Sequence, residues 1–193
     1  MSMNGLKNNT PQKWMQYLLY LALGQLALSV MGMVLSLGSL IQWLSIALTA
    51  ASALCLFGLT PLNPRMRQAA IFQLMSACAM AGSALVMLTL VGAICSLVAT
   101  YQAYAGFSEV VTPADGKLGK AWKRLFLWQL LSGLLVGMVS AAIGIALTML
   151  LGDATELYTQ ITVWGTNLLG LVLDGVYAWY LLRTIRLFES NAL

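Results

Sequence analysis

Of the chain's 193 residues, 60% are hydrophobic and 8% charged, with a mean hydropathy of +0.84, against roughly 45–50% apolar and 25% charged in soluble domains. A soluble fold is excluded. The net charge of +4 rests on 10 Lys and Arg, all flanking apolar runs, where they act as orientation signals of membrane helices rather than as a nucleic-acid footprint. The chain has no His, so imidazole general-base chemistry, Ser-His hydrolysis and His-containing zinc sites are excluded as well.

Residues 1–13 read as a short polar N-terminus, and the apolar run behind them is too long for a signal-peptide core and lacks an A-x-A cleavage pattern, so it is expected to stay as an anchor. From Trp14 to Pro64 there are 51 consecutive uncharged residues, more than twice the roughly 20 that cross a bilayer. Leu37, Gly38 and Ser39 offer a tight turn between two spans, at 16–36 and 41–60. The segment Pro61 to Arg67 holds two prolines that end the second helix and bring Arg65 and Arg67 to the surface.

Gln68 to Ser108 is a run of 41 uncharged residues, which as one helix would be about twice the thickness of a bilayer core, so a turn is required. A break at Gly82 would leave a first arm of 14 residues, whereas one at Thr89 to Gly92 gives arms close to the roughly 20 required. Spans are therefore expected at 68–88 and 92–111. The basic stretch Lys117, Lys120, Lys123 and Arg124 follows. Spans at 125–151 and 157–182 come next, joined by an acidic turn with Asp153 and Glu156 and closed by Arg183, Arg186 and a tail at 189–193.

This pattern predicts an all-α integral membrane protein: one domain over 14–188, with six transmembrane helices as three sequential helical hairpins. Six crossings put Lys7, Lys13, Arg65, Arg67, the Lys117 to Arg124 stretch, Arg183 and Arg186 on one face, as cytoplasmic loops require, so both termini are expected inside. A chain with such short loops fits a bacterial cytoplasmic membrane. Separations of 25, 25 and 28 residues, from Lys13 to Gly38, Arg67 to Gly92 and Arg124 to Gly152, fit an internal hairpin repeat. The fourth and sixth spans share a Tyr-x-x-Tyr, Tyr101 with Tyr104 and Tyr177 with Tyr180. Trp14, Tyr17, Trp122, Trp128 and Trp179 are expected to form an interfacial belt.

Several helix faces stand out. Gly133, Gly137, Ala141 and Gly144 make a small-residue stripe on the fifth span, expected to pack closely on the sixth. Gln25, Ser29, Gly32 and Ser36 share a face of the first span, and Gln73, Ser76, Met80 and Ser83 one of the third; both should point inward and bond between helices. On the sixth span Asn167, Gly170, Asp174 and Tyr177 align. Asp174 is the one ionisable residue deep in a span, and intramembrane carboxylates mark ion, proton or substrate paths or hydrogen-bonded ties between helices. The candidate polar site is accordingly Asp174, Asn167, Tyr177, Gln25, Gln73 and Tyr101. Glu109 should pair with Lys120, Lys123 or Arg124. Cys55, Cys78 and Cys95 read as buried structural thiols, and neither a metal nor a cofactor is expected.

With no nucleophile and base, phosphate loop or ligand set, the expectation is a non-catalytic multi-pass protein, not an enzyme. One form is a small integral subunit or scaffold acting through a membrane-protein partner or a second copy of itself. The alternative is a small solute or ion transporter, or the solute-binding membrane subunit of one, using the polar face around Asp174. Whether those polar faces enclose a cavity separates the two.

Overall fold

The computed structural model describes residues 10–34, 38–82, 86–151 and 155–190, all in six helices and their short connections, with no strand among them. The helices are α1 (Thr10–Val34), α2 (Gly38–Gly58), α3 (Pro64–Ala81), α4 (Val86–Val111), α5 (Gly116–Leu151) and α6 (Thr155–Ser190). Five of them, all but α3, are long and apolar enough to cross a membrane, which makes this a helical membrane protein. Gly38, expected in the first turn, opens α2; Gly152 of the last turn and Asp153 lie outside the described residues.

Local chemistry sets the helix starts. Asn63 caps α3 by accepting a 2.9 Å hydrogen bond from the Arg65 backbone N–H, and Pro64 occupies the first turn, where its missing N–H costs nothing. Asp115 caps α5 in the same way, its Oδ1 accepting from the Lys117 and Leu118 N–H groups at 2.9 and 3.0 Å. The basic stretch from Lys117 to Arg124 is therefore helical, and α5 starts well before the span expected from 125.

The third connection corrects the expected boundary. α3 ends at Ala81, with the Gly82 N–H bonded to the Cys78 carbonyl, and α4 is already helical at Val86. The break is thus near Gly82 and not at Thr89 to Gly92. Counting from the last charge misplaced it, because the capped α3 includes Arg65 and Arg67 in its own first turn. Gly92 lies inside α4, where the Ser76 hydroxyl of α3 donates to its carbonyl at 3.0 Å, and a Cβ there would stand 3.1 Å from that of Ala79. Its role is close helix approach, so the repeat of basic residue to glycine turn fails in the second hairpin.

Each helix packs on its sequence neighbours, and α1 packs on α6, so the six form a closed ring. The packed core lies at one end of it, where Met15, Leu56, Met66, Phe107, Trp122 and Leu181 bring one buried side chain from every helix. Polar contacts tie the same end: Gln12 to Glu189 at 3.1 Å, Asn63 to Glu109 at 2.9 Å, and Arg183 to Asp115 at 3.9 Å. The start of α5 joins them, the Ser108 hydroxyl of α4 donating to the Gly119 carbonyl at 2.8 Å. The Lys and Arg residues of the described helices gather at this end. Glu109 pairs with Arg65 at 2.9 Å, and Arg65 also donates to Gln102 at 3.0 Å. The expected pairing of Glu109 with Lys120, Lys123 or Arg124 of α5 is replaced by one across the α3–α4 contact, which the α3 cap brings within reach.

The other half of the ring is looser. Met138 is 74% and Met149 82% exposed on α5. The small stripe does not pack as expected: Gly133, Gly137 and Ala141 are exposed, and no described residue lies within 4 Å of a Cβ built at Gly133 or Gly137. Of its three glycines, Gly144 alone meets a described residue of α6, the Tyr158 ring. Small residues permit close approach, but here the helix is turned so that the stripe faces outward.

Candidate functional site

A cavity of about 290 Å³ lies inside the ring, directly against the packed core, with lining residues from all six helices. Leu18, Leu56, Ala103 and Tyr104 belong to both the core and the cavity wall, so the core forms the cavity floor. Below that floor Trp122 is fully buried, stacked on Phe107 at 4.9 Å and 22°, edge-on to Tyr177 and Tyr180, with its indole N–H donating to the Thr184 hydroxyl at 3.2 Å. Trp122 is therefore no interfacial residue, unlike the exposed Trp128 and Trp179. Its helix begins early enough to carry it under the bundle.

Of the six residues expected at a polar site, four come together here: Asp174 and Tyr177 of α6, Gln25 of α1 and Gln73 of α3 all line the cavity. Asn167 does not. It is exposed on α6, seven residues from Asp174, about 10 Å along the axis at 1.5 Å per residue, in the looser half of the ring. Tyr101 also faces outward, 46% exposed and edge-on to Phe126 at 5.2 Å. Its motif partner Tyr104 takes the inward position, stacked on Tyr177 at 5.6 Å.

The polar faces bond between helices as expected. The Gln25 amide donates to the Ser45 hydroxyl of α2 at 2.9 Å, and the Gln73 amide to that of Ser52 at 2.8 Å. Such contacts are worth on the order of 1 kcal/mol or less each within a membrane. Ser29 bonds its own helix, donating to the Gln25 carbonyl, Gly32 and Met80 are exposed, and Ser36 and Ser83 lie outside the described residues. Asp174 has no hydrogen bond or ion pair to a described residue. Of the three thiols Cys55 and Cys95 are buried, but Cys78 is exposed.

Sequence reasoning missed Thr49, Ser52, Ser96, Thr100, Tyr104 and Gln129, all of which line the cavity. Spacing carried the signal for most of them. Ser45, Thr49 and Ser52 fall at i, i+4 and i+7 on α2, and Ser96, Thr100 and Tyr104 at i, i+4 and i+8 on α4, each one helical face. Gln129 is the single amide in the long apolar stretch of α5.

Fold and site together define a ring of membrane helices closed at its charged end by an aromatic core and hollowed above that core by a polar cavity. No protein-family model matches the chain, and no curated protein or solved structure matches it at a significant level.

Proposed function

We propose that this chain is a non-catalytic membrane protein that holds a small solute in the cavity within its helices, as a small transporter or as the solute-binding membrane subunit of one. The observation that carries the reading is the cavity itself: all six helices contribute to its wall, and Asp174 is part of that wall without a partner among the described residues. A carboxylate within a membrane span is costly, by about 2.5–3.5 kcal/mol on insertion scales, and is tolerated where water, a solute or a counter-charge reaches it. Binding rather than reaction is supported by the lining, which among the described residues offers one carboxylic acid and no second carboxylate for proton transfer.

The reading includes six crossings arranged as three hairpins, with the charged end of the ring and both termini in the cytoplasm. α3 is the short member: its 18 residues make a helix about 27 Å long at 1.5 Å per residue. It needs less hydropathy than its neighbours because α2 and α4 flank it and Met66, Ala69, Ala70, Ser76, Ala77 and Ala79 are buried. The gathering of Lys and Arg at one end supports this orientation.

The test is solvent access. In a variant with Cys55, Cys78 and Cys95 replaced by Ala, Ala22→Cys on the cavity wall should react with a small hydrophilic thiol reagent, and Leu181→Cys in the core should not. An Ala22→Cys as inert as Leu181→Cys would remove the solute reading. A second reading, a small integral subunit working through a partner helix or a second copy of itself, is favoured by the outward face of α5 at Gly133 and Gly137. The cavity ranks the solute reading first.

A further inference from the structure

From the charge and the open acceptors of the cavity wall we infer that the solute is a small organic monocation carrying N–H or O–H donors, such as a protonated amine; this rests on the solute-binding reading above. Part of the wall's donor capacity is spent within the protein. The hydroxyls of Thr49, Ser52, Ser76 and Thr100 donate to the carbonyls of Ser45, Thr49, Gly92 and Ser96 at 2.8 to 3.0 Å. The Gln25 and Gln73 amides donate to Ser45 and Ser52.

Acceptors remain, beside the second N–H of the Gln25 and Gln73 amides and the amide N–H groups of Gln129. The Asp174 carboxylate and the side-chain carbonyls of Gln25 and Gln73, residues of the cavity wall, accept from no described residue. A bound molecule that supplies donors can satisfy these acceptors, at the carboxylate through a charge-assisted hydrogen bond. The phenol hydroxyls of Tyr104 and Tyr177 and the Ser96 hydroxyl can serve either way.

Charge points in the same direction. Among the described residues Asp174 is the single carboxylic acid of the wall, and no Lys or Arg lines it. An anionic solute would meet a carboxylate with no compensating cation, and a neutral one would leave the carboxylate unpaired in a poorly solvated place. A monocation neutralises it. The floor adds Tyr104 and Tyr177, whose rings stack on each other and whose phenol oxygens can accept from a bound cation. About 290 Å³ is the room of about ten liquid waters at roughly 30 Å³ each, enough for a small organic molecule and far more than a bare metal ion fills.

The experiment uses purified full-length protein carrying Ala22→Cys in the background lacking the native thiols, and measures the labelling rate in the presence of ethanolamine, ethylene glycol or glycolate, three probes of similar size, at equal concentration and ionic strength with sodium chloride as the balance. Ethanolamine should slow labelling several-fold relative to the glycol and glycolate, and Asp174→Asn should abolish that difference. Equal rates with all three probes, or protection by glycolate, would overturn the monocation assignment while leaving the cavity in place. Protection by sodium chloride alone that matches ethanolamine would assign the site to inorganic cations and overturn it too. A thiol that never labels overturns the solute-binding reading itself, a different outcome from any of these.

Discussion

Tyr104 of α4 lies over Tyr177 of α6 with ring centroids 5.6 Å apart and planes 23° from parallel. The two rings meet at the boundary between cavity and core, with Trp122 5.4 Å from Tyr104 and 5.7 Å from Tyr177. Offset stacking and edge contacts of this kind contribute about 0.5–1.5 kcal/mol per pair beyond area burial. The polar cavity is thereby separated from the charged end of the ring by a packed aromatic layer, and any passage of a solute to that end requires the layer to move.

Trp122 should be the most sensitive position in that layer. Removing its buried side chain leaves a large void and strips contacts from Phe107, Tyr104, Tyr177 and Tyr180, so Trp122→Ala is expected to cost about 3–5 kcal/mol. Trp122→Phe keeps part of the stacking and loses the hydrogen bond to Thr184, for a smaller loss of about 1 kcal/mol from that bond. Unfolding in mixed detergent micelles measures both. Wild-type stability in Trp122→Ala would mean the layer is not packed as described.

Two glycines separate buried contact from open surface. A Cβ at Gly92 would already stand 3.1 Å from the Ala79 Cβ, with the α3 backbone behind it at Ser76 O, 3.7 Å. Gly92→Leu should therefore force α3 and α4 apart, at a cost of about 1–3 kcal/mol or more from overpacking. Gly137→Leu should be tolerated in the isolated chain, since nothing described faces it. Thermal unfolding of the two variants side by side gives the answer, and a reversed order would show that the helices are rotated differently in the membrane.

Orientation can be read with single cysteines at exposed ends of the helices, Ser39→Cys at the start of α2 and Ser190→Cys at the end of α6. In intact cells an impermeant thiol reagent should label position 39 and spare position 190 until the membrane is opened. Labelling at 190 from outside, with 39 protected, would invert the topology.

The helical class, the charged end and much of the cavity were legible because a polar or charged side chain in an apolar run is conspicuous: Asp174, Gln25, Gln73 and Tyr177 all line one space. What the pattern could not supply was depth and rotation. Asn167 shares a face with Asp174 by periodicity, yet lies where the ring has loosened, and Tyr101 and Tyr104 were indistinguishable until α4 was seen to turn the second inward. The small stripe at Gly133 and Gly137 failed for a related reason, since spacing names a face without naming what opposes it. The turn at Gly82 was misplaced because span arithmetic ignored the Asn63 cap, which starts α3 before its charges end.

The remaining expectation concerns Asp174, for which a solute anchor and a structural tie make opposite demands. A tie holds helices through hydrogen bonds, and removing one partner of a buried bond destabilises by about 1–3 kcal/mol. Asp174 makes no such bond to a described residue while lining the cavity, so its loss should not weaken the fold. Asp174→Asn is expected to melt in detergent at or slightly above the wild-type temperature, and Asp174→Leu higher still, because each removes the cost of an intramembrane carboxylate and leucine also fills cavity space. Both should abolish complementation of a strain deleted for the gene, since a neutral side chain cannot balance a bound cation. A clear drop in melting temperature for Asp174→Asn with function retained would identify a tie. Unchanged stability with function retained would show that the carboxylate is not what holds the solute.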